Sequence, residues 1–354
     1  MIIFMEELTK HRISFHFSGT EAVKVTGSEL WIDLEVDCSS HEPWIATELN
    51  GAFMSRQMLL PGSYSLCLFR NMTSGVPKTM KFFRELQAMS EDDDCHVFVR
   101  GFRCDGEFLP VKEHKYKIEF IGDSITSGEG DIGAKAETDW ISMFFSAENN
   151  YAVMVSRALN ADIRVSSQSG WGVCCGWNND PNSAIPPIYR QLCGLLSGEK
   201  NIALGAKEPY DFTKWQPNYV FINLGTNDCG AFSQPAWTDE TTGETFQNRR
   251  TEDGKLNPED EARFAHGATA FLKQLRGYYS NARLVWIYGM LGLELVPALQ
   301  KAIDDYKAET GDANAEFLSL TDDLKNRGCR DHPGVGAHRT AANELIAYIK
   351  KQNA

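Results

Sequence analysis

Tyr219-Val220-Phe221-Ile222-Asn223-Leu224 is almost continuously apolar. A run of that kind fits one place best, the central strand of a parallel sheet that helices cover on both faces. The surrounding sequence supplies such a setting. Further strand patterns are expected at 118–122, 162–166, 283–288 and 315–320, and helical patterns fall between them near 151–159, 295–309 and 337–351. One more helix is predicted after Asn257-Pro258, where Phe264, Ala268, Phe271, Leu272 and Leu275 recur at helical spacing behind an acidic first turn. The alternation predicts a three-layer α/β domain, and ligands in that architecture bind beyond the carboxyl ends of the strands.

Residues 1–112 have a different texture. Short runs with period-two alternation occur at 13–17, 22–25, 30–36, 65–69 and 96–99, separated by turn signals such as Asn50-Gly51, Pro61-Gly62 and Asp105-Gly106. This pattern predicts an all-β sandwich or jelly roll over 1–112, followed by the α/β domain over 113–354. The acidic run Glu91-Asp92-Asp93-Asp94 lacks the glycine and terminal glutamate of a calcium loop, so a solvated loop is expected there.

The 354 residues carry a formal net charge of −13, which argues against nucleic acid or an anionic membrane as partner, since both demand a basic face. No apolar run approaches the roughly 20 residues of a membrane helix, and the opening MIIFMEELTKHR lacks the basic start and long apolar core of a signal peptide. A cytoplasmic protein is expected. The nine cysteines are an odd set without regular spacing, which fits reduced thiols better than a disulfide framework. Neither a CxxC pair nor an HExxH motif points to zinc.

Because ligands meet such a sheet at strand ends, residues that follow the strands are the functional candidates. Gly122-Asp123-Ser124 ends the first strand and lifts one serine to the sheet edge. A serine hydroxyl needs a base and donors for the oxyanion. Ser169-Gly170-Trp171-Gly172 follows the second strand with glycines that can present an unhindered N–H, and Gly225-Thr226-Asn227-Asp228 follows the third with a side-chain amide. His332 lies in the late loop Cys329-Arg330-Asp331-His332-Pro333, before the last helix.

These four blocks, in this order, resemble those of SGNH (GDSL-like) hydrolases over residues from about 115 to the end. With a β domain in front, the chain resembles carbohydrate esterase family 2, whose members pair a jelly roll with an SGNH domain of flavodoxin-like parallel sheet. The resemblance implies a serine esterase that removes O-acetyl groups from acetylated poly- or oligosaccharides of mannan or xylan type, without metal or organic cofactor. It implies Ser124 as nucleophile, His332 as base, and an oxyanion hole from the Ser124 N–H, the Gly170 N–H and the Asn227 amide.

Several alternatives stay open at this level. Gly172 competes with Gly170, and His338 competes with His332. The residue three before His332 is Cys329 where many SGNH enzymes have Asp; Asp331 is adjacent to the histidine, so a backbone carbonyl near Cys329 or Arg330 is the expected orienting group. Trp171 is the candidate sugar platform, within an aromatic-rich insertion that also holds Trp177 and Tyr189. A lipid-directed SGNH esterase, thioesterase or lysophospholipase is the second enzymatic reading, and a non-catalytic carbohydrate-binding protein is the reading of another class. The expected partner is an acetylated oligosaccharide, and the subunit count stays open.

Overall fold

The computed structural model describes residues 13–14, 20–89, 92–111 and 114–353. The first half is built of strands β1 (Ile13–Ser14), β2 (Thr20–Val25), β3 (Leu30–Asp37), β4 (Trp44–Leu49), β5 (Ala52–Met58), β6 (Gly62–Phe69), β7 (Lys78–Arg84), β8 (His96–Cys104) and β9 (Phe108–Leu109). They form two antiparallel sheets, in the orders β1-β8-β3-β6 and β5-β4-β7-β2-β9. Alternate residues Ile32, Leu34 and Val36 of β3 and Val97 and Val99 of β8 meet Ile45 of β4 and Phe82 of β7 in one buried cluster, so the sheets pack inner face to inner face. Asn50 and Gly51, with φ of 52° and 84°, turn β4 into β5, as hairpins with two positive-φ residues do.

Most expected strands are present; 15–17 of the first lie outside the described residues. β4, β5, β7 and β9 were not expected. The solvated loop expected at the acidic run needs correction: Glu91 is outside the described residues, but Asp92 is buried. Its carboxylate accepts the N–H groups of Ser40 and His41, both at 2.7 Å, and of Asp94 at 3.0 Å. Those donors satisfy a charge that burial would otherwise penalise.

The second half holds β10 (Tyr116–Gly122), β11 (Ala161–Ser167), β12 (Tyr219–Asn223), β15 (Arg283–Tyr288) and β16 (Ala315–Ser319), paired in parallel in the order β11-β10-β12-β15-β16. A small ribbon, β13 (Trp237–Thr238) with β14 (Thr245–Phe246), lies in the insertion after β12. The principal helices are α1 (Ser124–Ser127), α2 (Tyr151–Leu159), α3 (Thr226–Ala231), α4 (Pro258–Tyr278), α5 (Val296–Thr310) and α6 (Val335–Gln352). Apolar residues of α4 and α5 pack on one face of the sheet with Val220, Ile222 and Trp286, while α2 and α6 pack on the other with Phe120, Phe221 and Val285. This is why β12 is apolar on both faces.

Register decides where the loops emerge. Gly122 lies opposite both Ser167 and Asn223, so the segments carrying Ser124, Gly170 and Asn227 leave the sheet side by side. Contacts between the halves are polar as well as apolar. Glu48 of β4 pairs with Arg157 of α2, and His96 of β8 bonds Asp37 Oδ1 at 2.6 Å and Asn201 Oδ1 at 2.9 Å. Cys38, Cys67, Cys95, Cys104, Cys174, Cys175, Cys229 and Cys329 are free thiols, and no described helix is long and apolar enough to cross a membrane.

Candidate active site

The turn that carries Ser124 is built by close approach. A Cβ on Gly122 would lie 2.0 Å from Thr126 Oγ1 and 2.9 Å from the Asn223 carbonyl, so only glycine lets β10 turn this sharply against β12. Asp123 caps α1 by accepting the Ile125 N–H at 3.0 Å, and burial pushes its carboxyl up to about 7. Ser124 opens the helix, where first-turn N–H groups have no intrahelical acceptor. Gly128 (φ 76°) and Gly130 (φ 67°) then reverse the chain. A Cβ on Gly130 would lie 2.3 Å from the Cys329 carbonyl and 2.9 Å from His332 Cβ, so the loop that carries His332 rests directly on this turn.

His332 Nε2 is 2.9 Å from Ser124 Oγ, within reach for proton transfer. On the opposite side of the ring, Nδ1 is 3.3 Å from the Arg330 carbonyl oxygen. That bond makes Nδ1 the protonated nitrogen of the neutral ring and leaves Nε2 free to accept. Asp331 contributes nothing to the ring: its exposed carboxylate pairs with Lys135 at 3.4 Å. The loop reaches this geometry through two successive left-handed residues, Arg330 (φ 54°) and Asp331 (φ 60°), a conformation that side-chain-bearing residues avoid unless neighbours hold it. The neighbours are the Glu137 carbonyl, which accepts the Arg330 N–H at 2.9 Å, and the Thr138 carbonyl, which accepts Arg330 Nη1 at 3.1 Å. His338 lies elsewhere, fully buried in α6, where its Nδ1 accepts the Tyr151 N–H at 3.3 Å. Burial lowers its pKa to about 3.

The two candidate glycines behave differently. The Gly172 N–H donates to the Ser183 carbonyl at 3.1 Å, and a Cβ there would meet Asp228 Oδ2 at 2.3 Å, so Gly172 is committed to packing. Gly170 is left-handed (φ 79°), and among the described residues only its carbonyl is engaged, by the Trp177 N–H at 3.0 Å. The Asn227 side chain donates one Nδ2 hydrogen to the Trp171 carbonyl at 2.8 Å, which fixes its orientation and leaves the second hydrogen for another acceptor. Trp171 itself is half-buried and packs against the core. Trp177, 54% exposed, has its indole Cδ1 3.2 Å from the place of a Gly170 Cβ. Asp228 is buried and gathers the Val173 and Cys174 N–H groups at 2.8 Å each, tying the Gly170 loop to α3.

Glu129 is a site residue that the sequence did not announce. Its buried carboxylate lies 3.7 Å from His332 Nε2 and 3.2 Å from Arg330 Nε. The available signal was its place between two left-handed glycines. The structure therefore brings a serine hydroxyl, an imidazole, two backbone N–H groups and an amide to one sheet edge, a set that suits acyl transfer.

Comparison with known proteins agrees with this chemistry. The GDSL-like lipase/acylhydrolase family model matches residues 120–340. The solved structure of an acetyl xylan esterase from the rumen bacterium Butyrivibrio proteoclasticus is 47% identical, with a TM-score of 0.95 over 97% of this chain and 92% of that one. A family two carbohydrate esterase from Clostridium thermocellum, solved with cellohexaose, shares the fold at 23% identity, with a TM-score of 0.77 over 96% of this chain and 94% of that one. The cellulase/esterase CelE of Acetivibrio thermocellus is 24% identical over 96% of this chain, which spans 36% of that protein's length. On the match of residues 120–340, this chain belongs to the GDSL-like lipase/acylhydrolase family.

Proposed function

We propose that the protein is a serine esterase that removes O-acetyl groups from acetylated oligosaccharides or polysaccharides of xylan or mannan type. The observation that carries the reading is the 2.9 Å approach of His332 Nε2 to Ser124 Oγ with Nδ1 turned to the Arg330 carbonyl. As Ser124 Oγ bonds to the ester carbonyl carbon, its proton passes to His332 Nε2. The carbonyl oxygen becomes an oxyanion received by the N–H groups of Ser124 and Gly170 and by the free Asn227 Nδ2 hydrogen. When the tetrahedral intermediate collapses, the sugar hydroxyl leaves with the proton from Nε2. Water then repeats the sequence on the acetyl-serine, its proton passing through the same nitrogen, and acetate departs. Ser124 and His332 act as a dyad, because a backbone carbonyl does the orienting that a carboxylate does in a triad. Glu129 lies close enough to attract the imidazolium as it forms.

The acetylated-carbohydrate substrate is supported by the 47% identical acetyl xylan esterase and by Trp177, an exposed indole beside Gly170 of the kind on which sugar rings stack. The division into a β domain over 1–112, of jelly-roll type, and a hydrolase domain over 113–354 belongs to the same reading, supported by the break between β9 and β10. Acetate release from acetylated xylo-, manno- and cello-oligosaccharides, with Ser124→Ala as control, tests it. Release from the xylo- or manno-compounds that Ser124→Ala abolishes is expected. Turnover that rises with acyl chain length, or none with any acetylated sugar, would refute it.

A further inference from the structure

We infer that Gln87, contributed by the β half of the molecule, positions the oxyanion hole by holding Ser169, so the first half of the chain is part of the catalytic apparatus. Residues 85–89 follow β7 as a buried strap. Glu85 fixes one end: its carboxylate accepts the Arg56 Nε–H at 2.9 Å, the Ser146 hydroxyl at 2.8 Å and the Glu148 N–H at 2.9 Å. Ala88 fixes the other, packed with Cys193, Leu195, Leu196 and Ala206 of the second half.

Between these anchors the fully buried Gln87 Oε1 accepts the Ser169 N–H at 2.7 Å and the Ser169 hydroxyl at 3.0 Å. A backbone N–H can only donate, so the atom facing it is the amide oxygen. Ser169 immediately precedes Gly170, and the Gly170 N–H belongs to the peptide that Ser169 begins. With Ser169 gripped on one side and the Gly170 carbonyl bound by the Trp177 N–H at 3.0 Å on the other, that N–H has a fixed direction. Oxyanion donors act through such preorganisation, and a displacement of about 1 Å can cost roughly 10²-fold in rate. Gln87 touches neither the substrate nor the reacting atoms. Its predicted effect is therefore on kcat.

This inference rests on the assignment of Gly170 to the oxyanion hole. The test is steady-state hydrolysis of p-nitrophenyl acetate by the full chain, with folding checked by circular dichroism. Gln87→Met keeps the length and removes the acceptor; it should lower kcat about 10- to 100-fold with KM within roughly twofold. Gln87→Glu restores an acceptor oxygen and should recover kcat to within about tenfold of wild type. Ser169→Ala removes one of the two donations and should lower kcat about 2- to 10-fold; it decides the matter if Gln87→Met does not fold. A folded Gln87→Met with wild-type kcat, a loss carried by KM alone, or an unchanged Ser169→Ala overturns the inference while an active wild type leaves the esterase reading standing. A wild type inert toward both the ester and a fluorophosphonate probe overturns both.

Discussion

The two segments that bring Ser124 and His332 together are built by different means. On the serine side a parallel strand runs into a capped helical turn, and the devices lie within four residues of Ser124: Gly122 for the close approach to Thr126 and to the Asn223 carbonyl of β12, Asp123 for the cap, Gly128 for the exit. On the histidine side the chain takes two left-handed residues, Arg330 and Asp331, that nothing nearby in sequence calls for. Carbonyls of Glu137 and Thr138 and the carboxylate of Glu129, all about 190 to 200 positions earlier, hold it. A serine carried on regular structure takes its conformation mainly from its own segment, while a histidine in an irregular loop is fixed by what packs around it. The serine side should tolerate changes elsewhere in the molecule better than the histidine side does.

The variant that strikes the base itself comes first. His332→Ala should lower kcat about 10⁴- to 10⁶-fold on an acetyl ester, with His338→Ala limited to a loss of stability, since His338 is buried away from the serine. Kinetics on both variants beside a thermal melt would show whether the two histidines divide in this way. Asn227→Ala removes a donor on the serine side and should lower kcat about 10²- to 10³-fold at little cost in KM; a rise in KM at constant kcat would place Asn227 outside the oxyanion hole. Glu129→Gln keeps the shape and removes the charge beside Nε2, with an expected fall in kcat of about tenfold. Equal rates for that variant and wild type would leave the Arg330 carbonyl as sole support of the ring.

Smaller effects probe the same contrast. Asp331→Asn, which keeps a residue tolerant of the left-handed region, should leave kcat within about twofold, because the Asp331 carboxylate faces Lys135 and not the imidazole. A large loss there would restore a triad. The serine side also has a pH signature. Burial raises Asp123 and Glu148 to about 7 and Asp228 to about 6. A raised carboxyl binds its proton more readily folded than unfolded, so its contribution to stability is present at low pH and is lost as pH rises through these values. His338, lowered to about 3, acts oppositely, but only below its unfolded value of 6.5. The melting temperature should therefore rise as pH falls from 8 to 6.5. Asp123→Asn, which retains an oxygen for the Ile125 N–H, should flatten that rise.

What the sequence made legible follows the same division. The parallel sheet, its helices and the strand-end positions of Ser124, Gly170 and Asn227 were legible because each depends on local periodicity and on a register that places Gly122 beside Ser167 and Asn223. What sets Gly170 apart from Gly172 was not, since it is the Ser183 carbonyl that occupies the Gly172 N–H. Glu129 and Gln87 were missed because their significance is a distance to residues far along the chain. Among the β strands, β5 was missed because it is an exposed edge, with no buried face to impose alternation. The acidic run misled because Asp92 is satisfied by backbone donors from another loop.

The proposed dyad requires that Ser124 be activated by His332 alone, with the ring oriented by backbone. Labelling by a fluorophosphonate, followed by peptide mapping by mass spectrometry, tests it most directly in wild type, His332→Ala and Asp331→Asn. Label is expected on Ser124, at nearly the wild-type rate in Asp331→Asn and at a rate reduced by orders of magnitude in His332→Ala. Label on another residue, or a loss in Asp331→Asn as deep as in His332→Ala, would contradict it.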